Sequence, residues 1–357
     1  VISSIAGMVA TEFFQLFRRW MTGSTKYPRA TDMVKTEPIH GRIIVGLSGG
    51  VDSAVAAMLL KRMGYDVHAL FMKNWEEDDD AEYCAAEEDL AAARTVADKL
   101  DIPLDTVNFS SEYWDRVFEN FLHTLKAGRT PNPDILCNRE IKFQAFLDYA
   151  LDKGAEKIAT GHYACSQRFP SSVELRRAAD RDKDQTYFLH QVAPAALIKT
   201  LFPLCRYKKS EVRQMARDAG LENHDRKDST GICFIGERRF NDFIEQYIPN
   251  KPGPIMSLEG EMIGEHNGLM FHTIGQRKGL GIGGLRNASE EPWFVVDKRL
   301  ADNALIVAQG HDNPALYANG LLASDVHWIS RPPSNEEFRC TARTRHRQKD
   351  QPCHVML

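Results

Sequence analysis

The chain has 357 residues, of which 43% are hydrophobic and 26% are charged, the composition of an ordinary soluble protein with room for two or three domains. Its formal net charge of −4 excludes a globally basic nucleic-acid binder, so any RNA contact needs local basic patches. In residues 1–38, Glu12, Arg18 and Arg19 interrupt a mildly apolar start, and nothing approaches the roughly 18 apolar residues of a membrane span. We expect a disordered extension and no membrane contact, in a chain that opens on Val1 rather than Met.

Seven cysteines are spread along the chain without a CxxC pair. An odd number at wide spacing favours a reducing compartment, so we expect a cytoplasmic protein without a disulfide framework or a zinc site. The cysteines are Cys84, Cys137, Cys165, Cys205, Cys233, Cys340 and Cys353.

The stretch from Ser48 to Ser53 reads SGGVDS and lies between an apolar run at 43–47 and a helical pattern at 54–63. Two adjacent glycines let the backbone approach an anion, and a helix start favours negative charge there. The serine hydroxyls can donate to phosphate oxygens, and Asp52 can hold Mg²⁺ on those oxygens. An ordinary Gly-Gly turn is the alternative.

The SGGVDS hexad lacks the Gly-Lys-Ser/Thr ending of a Walker loop and the third glycine of a dinucleotide fingerprint, which argues against GTPases and NAD enzymes. It resembles the SGGxDS loop of the PP-loop ATP pyrophosphatases. That resemblance implies ATP-dependent adenylation of a substrate oxygen and leaves the acceptor open.

Strand and helix patterns alternate after the loop, which predicts an α/β domain with a parallel sheet. Ligands of such sheets lie at the carboxyl ends of the strands, where Met72 and Gly161 stand. Met72 either lies against the adenine of a nucleotide or fills the core. Gly161 either contacts adenosine or only makes a turn. His162 is expected to be structural. The predicted strands are 43–47, 67–72, 106–109 and 157–162, and the predicted helices are 54–63, 86–100 and 113–126.

Asn132 before Pro133 is a helix-start signal, because a capping residue precedes a proline whose missing amide proton costs nothing there. Asp134 and Cys137 then stand three residues apart on one helix face. The helix dipole favours a thiolate at Cys137, whereas the neighbouring carboxylate opposes it. We expect Asp134 to handle a substrate proton. Cys137 is either a reactive thiol or a small buried hydrophobe.

Residues 227–236 have no clear periodicity, and glycines flank Cys233. The pattern predicts a mobile loop that carries this cysteine to and from a site.

From about residue 245 the chain has short strands and no long helix. A Gly-rich basic stretch at 275–284 is interpreted as a flexible RNA-facing loop. Period-two alternation would place Arg343, Arg345 and Arg347 on one face of a strand, as a basic stripe for phosphates or as edge-strand protection. The predicted strands are 293–297, 304–308, 326–329, 338–345 and 353–357.

Six segments in chain order resemble the bacterial tRNA-specific 2-thiouridylases. In that family ATP adenylates the carbon-2 oxygen of the wobble uridine of tRNA, and a cysteine persulfide delivers the sulfur that replaces it. By resemblance, Cys137 is the nucleophile, Cys233 carries the persulfide, and Asp134 is the acid or base. The segments are 46–53, 71–75, 128–137, 160–163, 228–236 and 275–284.

The resemblance implies ATP with Mg²⁺, a tRNA substrate, and an upstream persulfide sulfur donor or relay protein. Its implied ATP contacts are Gly46, Leu47, Ser48, Gly49, Gly50, Val51, Asp52, Ser53, Met72 and Gly161. Its implied tRNA contacts are Asn132, Pro133 and Asp134 at the target base, and Lys183, Asp184, Gln185, Arg345 and His346 elsewhere.

The fold that the resemblance implies is a parallel-sheet PP-loop catalytic domain, a small central domain and a C-terminal β-barrel. We expect the catalytic domain at 39–240, the central domain at 241–314, and the start of an incomplete barrel at 315–357, after the extension at 1–38.

Two other functions fit the loop. A PP-loop amidotransferase or synthetase needs an ammonia source and no second cysteine, so an inert Cys233→Ser change would favour it. A catalytically idle RNA-binding protein with the same fold would release no pyrophosphate in response to unmodified tRNA.

Overall fold

The computed structural model describes residues 40–75, 85–227, 240–282 and 291–357. Several features of the sequence lie outside these ranges: the extension at 1–38, the acidic run at 76–80, Cys84, the segment that carries Cys233 and the end of the Gly-rich stretch at 283–284.

The described residues form strands and helices in the alternating order that the sequence predicts. The strands are β1 His40–Gly46, β2 Tyr65–Lys73, β3 Leu104–Asn108, β4 Lys157–Ala159, β5 Ala164–Phe169, β6 Ser172–Arg177, β7 Thr200–Leu201, β8 Gly253–Met256, β9 Met262–His266, β10 Trp293–Arg299, β11 Ala304–Gln309, β12 Glu337–Ala342 and β13 Gln351–Met356. The helices are α1 Val51–Arg62, α2 Ala85–Leu100, α3 at 110–126, α4 at 133–152, α5 Pro194–Ile198, α6 Lys209–Asp218 and α7 Phe240–Glu245. Both α3 and α4 contain a π-helical segment, at Trp114–Phe118 and Cys137–Ala145 respectively.

A five-stranded parallel sheet in the order β3-β2-β1-β4-β7 forms the first domain and confirms the predicted α/β class. Side chains along a strand point to opposite faces, and here both faces are covered. Ile44 and Ile158 enter one apolar cluster, while Ile43 and Val45 enter the other. This double burial explains the continuous apolar run of β1, which ends at the SGGVDS loop.

A second sheet, in the order β10-β11-β8-β9, surrounds a small apolar core that includes Ile255, Val295 and Leu305. Further along the chain β12 and β13 form an antiparallel hairpin. The strand predicted at 326–329 is wrong, since these residues form no strand.

The predicted basic stripe is also wrong. Strand β12 ends at Ala342, and residues 343–349 form the hairpin turn. The Arg343 guanidinium donates to Asp350 at 2.7 and 2.9 Å, which folds the turn back on itself. Arg343, Arg345 and Arg347 therefore do not alternate along an extended strand.

The expectation of a chain without disulfides is contradicted by a bond between Cys165 and Cys205, whose Cα atoms lie 4.9 Å apart. The sequence did not predict the β5–β6 hairpin that carries Cys165. Tertiary packing places this hairpin beside the turn after β7, where the Ala179 amide donates to the Cys205 carbonyl at 2.9 Å. Widely spaced cysteines can meet in this way without any local pattern.

Candidate nucleotide and thiol site

The loop between β1 and α1 is closed by its own serines. The Ser48 amide donates to Ser53 Oγ at 3.2 Å, and the Ser53 hydroxyl donates to the Gly50 carbonyl at 3.0 Å. Gly49 has a φ of +76°, which L side chains rarely adopt. Helix α1 starts directly after this turn, so its first amides face the loop. The geometry fits the predicted phosphate cradle.

Asp52, in the first turn of α1, is held by two distant residues. Lys209 Nζ lies 2.8 Å from Asp52 Oδ1 and 2.7 Å from Asp52 Oδ2, and the Tyr163 hydroxyl donates to Asp52 Oδ1 at 2.9 Å. The Lys209 side chain is 11% exposed and that of Asp52 is 31% exposed. The carboxylate is therefore oriented and largely neutralised at the mouth of the loop.

Two side chains from distant parts of the chain bind the loop at the Gly49 carbonyl oxygen. Asn223 Nδ2 donates to this oxygen at 2.8 Å, and Arg226 Nη1 donates to it at 3.4 Å. Arg226 also pairs with Asp89. Burial raises the pKa of the Asp89 carboxyl, and the charge of Arg226 opposes that shift.

Gly161 follows β4 and touches the loop backbone. A Cβ atom there would lie 2.7 Å from the Ser53 nitrogen and 2.8 Å from the Asp52 carbonyl carbon. Met72 Cε lies 3.3 Å from the corresponding Cβ position at Gly46. Both predicted ATP contacts thus border the loop, and contact with ATP itself remains a prediction.

Helix α4 begins at Pro133 with Asn132 as its N-cap residue, which confirms the predicted helix start. Asp134 is half-buried, whereas Cys137 is fully buried in an apolar cluster at the first residue of the π-helical segment. The Cys137 thiol therefore lies in the core, at the position expected of a small buried hydrophobic residue. Its role as nucleophile remains a prediction.

Three side chains of α4 connect the parts of the site. The Phe146 ring lies 3.3 Å from the Cβ position at Gly46, and the Phe143 ring centroid lies 5.7 Å from that of His162. Asn138 Nδ2 donates to the Phe188 carbonyl at 3.2 Å. The helix that carries Cys137 thus touches the loop, the end of β4 and the 3₁₀ turn Thr186–Leu189.

His162 is held by a hydrogen bond between its Nδ1 and Thr160 Oγ1, 2.9 Å apart. Burial, helped by the nearby charge of Lys142, lowers the pKa of His162 to about 3. The imidazole is therefore neutral at physiological pH, in keeping with the structural role expected for it.

The tRNA contacts implied between Lys183 and Gln185 include two residues with internal bonds. Asp184 is 5% exposed, and its carboxylate accepts hydrogen bonds from the Ala178 amide at 2.8 Å and the Thr186 hydroxyl at 2.5 Å. Gln185 Oε1 accepts from the Tyr163 amide at 2.9 Å. Lys183 is exposed. Asp184 and Gln185 fix this segment, whatever else they bind.

The hairpin turn at 343–349 packs on the same segment. His346 Nε2 lies 3.0 Å from the Asp184 carbonyl oxygen, and its ring centroid lies 4.5 Å from that of Phe188. Arg345 donates to the Ile274 carbonyl of the central domain. The structure thus brings His346 to Asp184, although 162 residues separate them in sequence.

The second predicted cysteine, Cys233, lies outside the described residues, so its distance from Cys137 is not described.

The loop offers one carboxylate for a metal ion. Over the described ranges, no three His, Cys, Asp or Glu side chains are grouped to bind a metal. Asp52 offers one carboxylate, which suits Mg²⁺ because this ion usually takes one or two carboxylates together with substrate phosphates. The residues therefore fit an ion that arrives on a nucleotide, once Lys209 shares or yields the carboxylate.

No helix in the part of the chain described here has the length and apolar character needed to cross a membrane.

Three supporting residues were missed by sequence reasoning, namely Lys209, Asn223 and Arg226, and a fourth, Tyr163, lies in the matching segment 160–163 but was given no role. No local pattern predicts their contacts, because each acts on the loop from a position more than a hundred residues away.

The parallel sheet and the SGGVDS cradle define a PP-loop-like nucleotide-binding domain. Models of three domain families match in order: the tRNA methyl transferase HUP domain at 41–237, the tRNA methyl transferase PRC-barrel domain at 241–309, and the aminomethyltransferase beta-barrel domain at 318–357. The chain belongs to the tRNA-specific 2-thiouridylase MnmA family, as its curated relatives show.

The relative from Proteus mirabilis is 59% identical over 88% of this chain and 86% of its own length. The relative from Psychromonas ingrahamii is 56% identical over 90% of this chain and 88% of its own length. Among solved structures, the NMN synthetase from Francisella tularensis is 22% identical, with a TM-score of 0.35 over 54% of this chain and 67% of its own. A score this low supports no conclusion about function.

Proposed function

We propose that this protein makes 2-thiouridine at the wobble position of tRNA. ATP adenylates the carbon-2 oxygen of the uridine with loss of pyrophosphate, and sulfur from a cysteine persulfide then replaces the oxygen, which leaves with AMP. Relatives named tRNA-specific 2-thiouridylase, such as one at 59% identity over 88% of the chain and one at 56% over 90%, carry this proposal. The closed SGGVDS loop supports the ATP-dependent step.

In this proposal the loop binds the phosphates of ATP. Its backbone amides and the hydroxyls of Ser48 and Ser53 face the β- and γ-phosphates, while Met72 and Gly161 border the adenosine. Mg²⁺, held in part by Asp52, would neutralise charge on the phosphate oxygens when bound. Lys209 and Tyr163 orient the Asp52 carboxylate for that contact.

The sulfur step uses two cysteines. The terminal sulfur of a persulfide on Cys233 attacks carbon-2, and the bond from carbon-2 to the AMP oxygen breaks. Cys137 then forms a disulfide with Cys233 as the sulfur–sulfur bond of the persulfide breaks; alternatively, Cys137 attacks first and releases sulfide at the activated carbon. Two external thiols reduce the disulfide in either route. Asp134 transfers the substrate proton.

The burial of Cys137 adds a requirement to this route. A thiol that is 0% exposed reaches neither a persulfide nor a uridine until the surrounding residues move. We therefore propose that binding of the substrate base at the α4 start, at Asn132, Pro133 and Asp134, uncovers the thiol. The hairpin turn and Lys183 would contact the tRNA beside this point.

A tRNA substrate and a persulfide sulfur source support a cytoplasmic location and an upstream persulfide donor or relay protein. The identity of the donor is open to direct assay.

The test is incubation with ATP, Mg²⁺, a persulfide donor and unmodified tRNA, followed by nucleoside mass analysis. Wild type should form 2-thiouridine, and Cys137→Ala and Cys233→Ala should not. Pyrophosphate release that requires tRNA but yields no thiouridine would contradict sulfur transfer and favour another PP-loop synthetase. Inorganic sulfide should rescue the Cys233 variant better than an Asp134→Asn variant.

A further inference from the structure

Cys340 and Cys353 form a pair of thiols that the proposed sulfur chemistry does not use. They are direct partners across the β12–β13 ladder, and their Sγ atoms lie 3.3 Å apart. Both are free; Cys340 is exposed and Cys353 is half-buried. Facing side chains in antiparallel strands have Cβ atoms about 4.5–5.5 Å apart, whereas a disulfide needs about 3.5–4.5 Å, so the two strands must approach slightly for the bond to form.

The two sulfurs already interact. A hydrogen bond to Cys353 raises the pKa of the Cys340 thiol, with smaller effects from burial and from the charge of Cys353. Cys340 therefore keeps its proton more firmly than an isolated thiol does. The two sulfurs, 3.3 Å apart, lie close enough for one of them, once deprotonated, to attack a group carried by the other.

We propose that Cys340 and Cys353 are a redox-modification site that reacts with low-molecular-weight disulfides. One thiolate attacks a sulfur of the external disulfide, which forms a mixed disulfide and releases one external thiolate. The second cysteine then attacks the protein sulfur of that mixed disulfide and releases the other. Two protein thiols are oxidised, one external disulfide is reduced, and the two thiol protons pass to the released thiolates.

A Cys340–Cys353 cross-link would act on the hairpin turn between the two cysteines. Cys340 and Cys353 flank the turn that places Arg345 on the central domain and His346 on Asp184. At the base of that turn, Arg343 pairs with Asp350 at 2.7 Å, and Asp350 also pairs with Arg177. Oxidation would close a covalent ring around the segment that links the hairpin to the catalytic domain. This inference does not depend on the proposed function.

The experiment treats the 357-residue protein with oxidised glutathione and maps disulfides by peptide mass analysis. Wild type should lose two hydrogen atoms through a Cys340–Cys353 link and keep no glutathione on either residue. The single variants Cys340→Ser and Cys353→Ser should each trap a stable glutathione adduct on the remaining cysteine. The Cys165–Cys205 bond is an internal reference for mapping in every sample.

The kinetics provide the sharper criterion. The neighbouring thiol acts at high effective concentration, so the wild-type adduct should resolve at least about 100-fold faster than millimolar external thiol removes the adduct from either single variant. Persistence of glutathione on wild type, or no reaction at both thiols, would overturn the proposal. Both cysteines lie on an exposed hairpin, and unchanged thermal unfolding of the serine variants would show that they fold.

Discussion

Lys209 binds both carboxylate oxygens of Asp52, at 2.8 and 2.7 Å, although 157 residues separate the two in sequence. This ion pair joins the start of α6 to the first turn of α1. It fixes the one carboxylate of the loop and brings a cation to the place where phosphate oxygens are proposed to bind.

We expect Lys209→Met to lower the free energy of unfolding by about 1–2 kcal/mol, since it leaves a partly buried carboxylate with fewer donors. We also expect the Kd for ATP with Mg²⁺ to rise about fivefold or more, because the variant loses a positive charge at the loop. Tyr163→Phe is the matched control, because it removes one neutral donor to the same carboxylate and should cost only about 0.5–1.5 kcal/mol. Urea unfolding and equilibrium nucleotide binding measure the two effects. Unchanged stability and binding in Lys209→Met would refute this role.

Gly161→Ala should impair nucleotide binding, because its Cβ would lie 2.7 and 2.8 Å from backbone atoms of Ser53 and Asp52. These atoms belong to the backbone and cannot rotate away as the end of a flexible side chain can, so the loop itself must shift to admit the methyl group. We expect at least a tenfold loss of ATP affinity, or about 1.4 kcal/mol, by calorimetry. Gly320→Ala is the control, since nothing lies within 4 Å of its Cβ position. Equal affinity in both variants would show that the loop tolerates the shift.

His162 should make stability fall with acid. Its folded-state pKa is about 3, against about 6.5 in the unfolded chain, so the unfolded state binds the extra proton as pH falls from about 6.5 towards 3. The stability associated with the neutral ring is thus fully present above pH 6.5. Between pH 7.5 and 5.5, wild type should lose about 1.4 kcal/mol more than His162→Gln, as measured by urea unfolding. Parallel pH profiles for the two proteins would contradict the assignment.

The Cys165–Cys205 bond should stabilise the fold, because it closes a segment across a sequence separation of 40 residues. Removing such a link costs about 2–4 kcal/mol. A double Cys165→Ser, Cys205→Ser variant should therefore unfold at lower urea concentration than oxidised wild type and should no longer respond to reductant. A Cys340→Ser, Cys353→Ser variant controls for the loss of two thiols. A midpoint unaffected by reduction of wild type would argue against the bond.

The sequence by itself determined the α/β class, the parallel β-α-β unit that carries the loop, the SGGVDS turn and the helix start at Pro133. These features follow from local physics: apolar runs bury strands on two faces, adjacent glycines permit the turn at Gly49, and proline suits a first helical turn.

Only the tertiary structure decided which distant groups meet. The Lys209–Asp52 pair, the Asn223 contact with Gly49, the Cys165–Cys205 bond and the approach of His346 to Asp184 all join residues without a shared local pattern. The strand alternation predicted at Arg343 is wrong, because an ion pair with Asp350 closes a turn there. Side-chain partners depend on how the elements pack, and a linear pattern does not record that packing.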